Sequence, residues 1–373
     1  MSAQARRPRP GVPPSLVTVR IDPSAITANA RFAVRRAGGA GLIAVVKDGA
    51  YGHGAVRAAR ALGGLADAFA VAGPGQGIEL RAGGVRRPII LLTPLLGPDW
   101  ARALRAGLTP CVFSPEDMFR VPVSGGTLGA HLKFDTGMGR LGFRPEAART
   151  VAAMLARRGV RRLAGVMTHL SCGGERAFTR HQLDAFDACL SALKERAIRY
   201  GMVHVANTEG VLHSPRACAY GWIRPGLMLY GCGPGPRPVN GLKAALSWST
   251  RVVAVRRVPR GAPVSYGHTW RAPRASKLGV IPAGYAHGLF RSLANRGVAL
   301  VRGRRVPVRG RVCMDLTVLD LSGVPGARPG DEAVLIGRQG GVRICAEEVA
   351  ARAGTIAYEV LCAAGGLGGG AGA

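Results

Sequence analysis

Lys47 closes a short apolar run, 42–46, and opens a glycine-rich turn, Asp48-Gly49-Ala50-Tyr51-Gly52-His53-Gly54. Lysine is scarce here. Of 51 Lys plus Arg residues only five are lysines, at positions 47, 133, 194, 243 and 277. Arginine stays protonated and is no amine nucleophile, whereas a desolvated lysine can shed its proton and form a Schiff base. Lys47 is therefore a candidate anchor for an aldehyde cofactor. The plain alternative is a surface lysine, and its scarcity and strand-end position argue against that. Tyr51 either reaches the same pocket or caps the turn.

Further polar residues follow apolar runs. Lys133, Asp135 and Arg140 lie in His131-Leu132-Lys133-Phe134-Asp135-Thr136-Gly137-Met138-Gly139-Arg140. Arg140 is suited to gripping a carboxylate bidentately, or to pairing with Asp135. His169 follows Thr168; a lone histidine there is more often structural than catalytic. Thr208 follows Asn207. Arg224 precedes Pro225-Gly226-Leu227, where a buried cation needs a partner and the backbone N–H groups of Gly226 and Leu227 suit a phosphate. Tyr266 and Met314 stand in strand-like surroundings, Tyr266 as an acid/base candidate or a core tyrosine, Met314 as core.

Apolar runs at 41–46, 68–73, 88–94, 108–113, 128–134, 163–168, 202–206 and 222–229 read as strands. Helix-forming stretches separate several of them, as at 24–37, 55–63, 98–106, 145–158 and 177–199. Eight alternations predict an α/β fold, a (β/α)8 TIM-type barrel over 16–245 whose strand C-termini gather these polar residues at one mouth. From 246 the pattern changes to frequent Gly/Pro turns. Alternation over 248–258 and runs at 277–281, 298–301, 306–308 and 332–336 predict a mostly-β domain over 246–362, with a helix at 346–353. Residues 1–15 are expected to be a disordered basic tail and 363–373 a flexible Gly-rich tail.

The 373 residues carry a formal net charge of +30 but only 5% aromatics. The arginines are scattered, with no aromatic-interleaved basic stripe, so specific nucleic-acid binding is not expected. No apolar run reaches the roughly 18 residues of a membrane span, and the N-terminus has no apolar signal core. A cytoplasmic location is the default expectation. Eight cysteines form no C-x-x-C pair and eight histidines no metal-ligand spacing, so neither disulfides nor a metal site is expected.

Nine motifs in order resemble one family. They are 44–54 (AVVKDGAYGHG), 131–143 (HLKFDTGMGRLGF), Thr168-His169, Ala206-Asn207-Thr208, 224–231 (RPGLMLYG), 264–267 (VSYG), 282–288 (PAGYAHG), 310–315 (GRVCMD) and 354–359 (GTIAYE). From about residue 17 to 361 the chain resembles the bacterial alanine racemases, pyridoxal 5'-phosphate enzymes with a barrel and a C-terminal β-domain. The resemblance implies L- to D-alanine interconversion for peptidoglycan in a homodimer with shared active sites. Lys47 would hold the cofactor and act as one acid/base, with Tyr266 of the partner subunit as the other. His169 would tune Tyr266, and Arg224 would face the pyridine nitrogen and keep it unprotonated. Tyr51, Thr208, Gly226, Leu227 and Tyr358 would hold the phosphate. Arg140, the Met314 backbone and Tyr285 would hold the substrate, and Lys133 matches a lysine carbamylated in many members.

Departures from the family pattern include Asp48-Gly49, Thr208 in place of serine, Gly174, His287, Ala357 and the glycine-rich C-terminus. They bear on the substrate corridor more than on the acid/base pair. Another small amino acid, such as serine, is the alternative substrate. A decarboxylase sharing the architecture, or a basic binding protein without activity, is the reading outside this chemistry.

Overall fold

The computed structural model describes residues 16–366. They form two compact units: Ile26–Ala50 with Ala55–Leu229, and the described part of Met1–Ala25 with Tyr51–Gly54 and Tyr230 onward.

The first unit is a closed ring of eight parallel strands: Gly41–Val45, Ala68–Val71, Ile89–Leu91, Thr109–Val112, Thr127–Lys133, Arg162–Met167, Arg199–His204 and Gly221–Ile223. The last strand pairs with the first through Trp222–Gly41 and Ile223–Leu42, which shuts the barrel. All eight expected strands are present. The first three, Gly41–Val45, Ala68–Val71 and Ile89–Leu91, are short, apolar and almost wholly buried, as strands covered on both faces tend to be. Helices lie between the strands, among them Ala55–Leu62, Ala148–Arg157 and Arg176–Glu195. The 177–199 expectation overshoots: the helix stops at Glu195, Ala197 takes a positive φ of 52°, and Arg199 starts the next strand.

In the second unit, Leu246–Arg251 pairs antiparallel with Glu332–Gln339, which also pairs with Val298–Val301. Ala254–Val258, Ser276–Ile281 and Thr317–Asp320 make a three-stranded sheet. The alternation over 248–258 is therefore two strands of different sheets, broken at Val252-Val253. Thr18–Ile21 pairs with Leu246–Arg251, so the first described residues belong to this unit and not to the barrel. The second compact unit begins at Tyr230, and its first strand, Leu246–Arg251, begins where the change of pattern is expected.

Of the expected flexible tail over 363–373, residues 367–373 lie outside the described residues, and the described part is helical as far as Gly365. Helix Ala357–Gly365 carries residues 363–365 in regular structure, and Gly365 is buried. A Cβ on Gly365 would lie 2.2 Å from the Gly52 carbonyl oxygen, so the two backbones touch. Glycine here serves close packing, which composition alone reads as flexibility. The expected tail over 1–15 lies outside the described residues.

Candidate active site

Lys47 sits where the first barrel strand ends, at the head of an unusual turn. Residues Lys47–Gly52 form one helical turn. Within it Asp48, Gly49, Ala50, Tyr51 and Gly52 have φ of 52°, 62°, 56°, 54° and 84°. These five residues are left-handed, and three of them carry a Cβ. Each such residue costs about 1–2 kcal/mol relative to the right-handed form. Strain of this kind persists only where its surroundings over-determine it, and it marks functional positions. Lys47 is half-buried, and its side chain makes no hydrogen bond or ion pair among the described residues.

Arg224, 3% exposed, is held by neutral acceptors. Its Nη1 lies 2.7 Å from His204 Nδ1, and its Nη2 lies 2.8 Å from His169 Nδ1 and 3.1 Å from the Thr168 carbonyl. A guanidinium only donates, so both Nδ1 atoms accept and both rings carry their proton on Nε2. His204 Nε2 is 2.8 Å from His131 Nδ1, so it donates, and His131 also keeps its proton on Nε2. The result is a one-way chain, Arg224 to His204 to His131, in which every imidazole is neutral.

Burial first, then the Arg224 charge, pushes His169 and His204 well below the usual histidine range and His131 to about 3. The sequence left His169 open as a structural histidine; here it is tied to the buried cation. His204 and His131 were not anticipated. A signal was present, because His131 and Lys133 share one face of a buried strand and a polar group there needs a partner.

Asp135 does not pair with Arg140. Its Oδ1 accepts the N–H groups of Gly137, Met138 and Gly139 at 3.2, 2.8 and 3.0 Å, and its Oδ2 that of Arg140 at 2.7 Å. Burial opposes its charge, but these bonds outweigh burial and hold the carboxyl below its usual range. Asp135 thus shapes the glycine loop and leaves the exposed Arg140 guanidinium at an open cavity of about 430 Å³. Lys133 is buried beneath, its Nζ 5.6 Å from the Phe113 ring centre. Desolvation, then Arg224, lowers its amine to about 8.

Thr208 opens helix Thr208–His213, and its Oγ1 receives the N–H groups of Gly226 and Met228 at 3.4 Å each. Gln182, fully buried, was also unforeseen. Its Nε2 donates to the His169 carbonyl at 3.2 Å and to Thr136 Oγ1 at 3.4 Å, which fixes the His169 backbone.

The second unit carries the remaining candidates. Tyr51 lies 5.1 Å from Tyr230 and 5.7 Å from Tyr358, ring centre to ring centre. Tyr266, Tyr285 and Met314 are 71%, 45% and 54% exposed, so neither Tyr266 nor Met314 is a core residue. Tyr285 and Ala286 N–H groups donate to the Cys313 and Met314 carbonyls at 3.0 Å each. This joins two of the motifs, with Gly284 too close to those oxygens to bear a side chain.

A donor set of lysine amine, buried guanidinium, threonine hydroxyl and backbone N–H groups fits a phosphorylated aldehyde with a ring nitrogen. Comparison with known proteins identifies the family. Residues 21–234 match the family model for the alanine racemase N-terminal domain, and 245–366 the model for its C-terminal domain. The alanine racemase of Halothermothrix orenii is 37% identical over 330 residues, covering 86% of this chain and 87% of that protein. That of Sorangium cellulosum is 40% identical over 337 residues, covering 85% and 87%. The crystal structure of alanine racemase from D-cycloserine-producing Streptomyces lavendulae superposes with a TM-score of 0.87 at 34% identity, covering 95% of this chain and 96% of that one. The Bacillus anthracis alanine racemase, solved with bound L-Ala-P, gives 0.83 at 32% identity, covering 93% and 92%. Sequence and fold agree over nearly the whole length, and the chain belongs to the alanine racemase family of amino-acid isomerases.

Proposed function

We propose that this isomerase interconverts L- and D-alanine by a two-base route, with pyridoxal 5'-phosphate on Lys47. The two bases are Lys47 and Tyr266 of the partner subunit. The observation that carries the reading is Arg224, a permanent cation locked between the Nδ1 atoms of His169 and His204. Such a group donates to a ring nitrogen and never accepts, so it holds that nitrogen unprotonated and restrains transamination. Pyridoxal phosphate, when bound, supplies the electron withdrawal that acidifies the amino acid's α-hydrogen.

Lys47 Nζ removes or returns that proton on one face, and the phenol oxygen of Tyr266 of the partner subunit does so on the other, which inverts the centre. His169 donates from Nε2 to that phenol oxygen and favours its ionised form. Thr208 with the Gly226 and Leu227 N–H groups takes the phosphate; the same role for Tyr51 and Tyr358 rests on the resemblance. Arg140 takes the substrate carboxylate, and Met314 and Tyr285 keep the substrate roles the resemblance implies. The lowered Lys133 amine is neutral often enough near pH 8 to add CO2, releasing a proton and leaving a carbamate to orient Arg140. The same reading puts the enzyme in the cytoplasm as a homodimer supplying D-alanine for peptidoglycan.

The test is a panel of alanine and serine enantiomers given to cofactor-loaded protein, with products resolved by chiral chromatography. Alanine should equilibrate fastest. Lys47→Ala should lose both activity and the absorbance of lysine-bound cofactor. Tyr266→Phe should still exchange the α-hydrogen of one enantiomer for deuterium while racemisation falls about 10²–10⁴-fold. Undiminished racemisation by Tyr266→Phe would rule out the two-base assignment, and serine outpacing alanine would replace the substrate.

A further inference from the structure

The second unit holds a cavity of about 440 Å³ that the reaction does not use. Its charged walls are Arg20, Asp22, Lys243, Arg338 and Arg343, four cations against one carboxylate. Asp22 is already engaged: its Oδ1 accepts the Ser24 N–H at 2.8 Å, the Ser24 hydroxyl at 2.6 Å and the Ala25 N–H at 3.3 Å, at the start of helix Pro23–Arg36. The hydroxyl bond leads in holding its carboxyl below the usual range, with Lys243 adding a smaller push. The side chains of Arg20, Arg338 and Arg343 make no hydrogen bond or ion pair among the described residues.

The register makes this arrangement costly. Strands Glu332–Gln339 and Val342–Ile344 are joined by the two-residue turn Gly340-Gly341, and that pairing sets Arg338 directly opposite Arg343. Like charges directly opposite on adjacent strands destabilise a sheet. Arg20 sits opposite Ser247, which also lines the cavity. Elsewhere in the unit some arginines do have carboxylate partners: Arg305 and Arg352 reach Glu348, and Arg309 reaches Asp320. Arg20 and Arg338 are exposed and Arg343 half-buried; three guanidiniums gathered at one cavity without a carboxylate partner concentrate a positive potential that favours an anion there. The volume falls within the range of small-molecule pockets, well short of what a nucleic-acid duplex needs.

We propose that this cavity is a binding site for a small oligophosphate, such as the triphosphate of a nucleotide, gripped by Arg338 and Arg343 with Arg20 and Lys243 at the rim. Planar guanidiniums match phosphate oxygens two at a time, and several phosphates in a row answer several cations. The inference is independent of the racemase reading.

The experiment is calorimetric titration of cofactor-loaded protein with inorganic tripolyphosphate at low salt. The expected result is one site per chain, with affinity about tenfold or more lower in the double variant Arg338→Gln/Arg343→Gln, since two charge-assisted contacts are lost. A charge-matched control, Arg256→Gln/Arg257→Gln, removes the same charge from the exposed part of Ala254–Val258 and should bind within about twofold of wild type. Equal weakening in both variants, several sites per chain, or release of the cofactor on titration would each overturn the proposal. Thermal melts of both variants establish that they are folded.

Discussion

Ser265 has φ of 61° and ψ of −174°, a region that is essentially glycine's, and it directly precedes Tyr266. Gly267 and His268 follow with φ of 66° and 49°. The Ser265 hydroxyl donates to the Arg311 carbonyl at 2.7 Å, which fastens the strained residue to the next motif. A conformation of this kind costs on the order of 1–3 kcal/mol, so it must be held by its contacts. Ser265→Ala keeps the strain and removes the fastening; it should melt at lower temperature. Ser265→Gly removes both and should melt close to wild type, yet turn over more slowly with little change in KM, because Tyr266 is no longer aimed. Unfolding by calorimetry and steady-state kinetics separate the two. Equal stability of wild type and Ser265→Ala would show that the hydroxyl is not the restraint. The same logic divides what the sequence discloses about the site. Lys47, His169, Thr208 and Arg224 stand out as candidates because each is polar at the end of an apolar run. Gln182 and His204 do not, since their roles arise only when distant strands and helices meet.

At the level of elements, the barrel strands are readable because a strand covered on both faces is mostly apolar, even where, as at His131, Lys133 and His204, it carries a buried polar side chain. The left-handed turn after Lys47 and the packed C-terminal helix are not readable, because both depend on glycines whose function differs by context. Gly49 has open space around its absent Cβ, so Gly49→Ala meets only backbone strain of about 1–2 kcal/mol. At Gly52 a Cβ would lie 2.6 Å from the Leu361 carbonyl and 2.7 Å from Gly365 Cα. Gly52→Ala and Gly365→Ala should therefore each dislodge helix Ala357–Gly365, whereas Gly49→Ala should leave it seated. Amide hydrogen exchange reads this directly: faster exchange over 357–365 in the first two variants and wild-type protection in the third. Protection retained in Gly365→Ala would mean that the backbone contact does not hold the helix.

For the molecule as a whole, the neutral histidines couple the barrel interior to pH. The native pKa values of His131, His169 and His204 are depressed, with His131 at about 3, by burial first and then by Arg224. An unfolded chain protonates its histidines near pH 6.5. Below that pH the unfolded state binds protons that the native state refuses, so stability is full above about 6.5 and is lost as pH falls. Each proton refused costs up to about 1.4 kcal/mol per pH unit, so stability falls more steeply as more of the three rings join. Denaturant titrations from pH 7.5 to 5 should show this steepening before most carboxylates titrate. Over the same range, imidazole ¹⁵N shifts should keep the three rings in the neutral form with the proton on Nε2. A slope of less than one proton between pH 6 and 5, or a charged imidazole signal from His204 in the folded protein, would break the one-way chain. Arg224 would then lack the fixed acceptors on which the role proposed for it against the ring nitrogen depends.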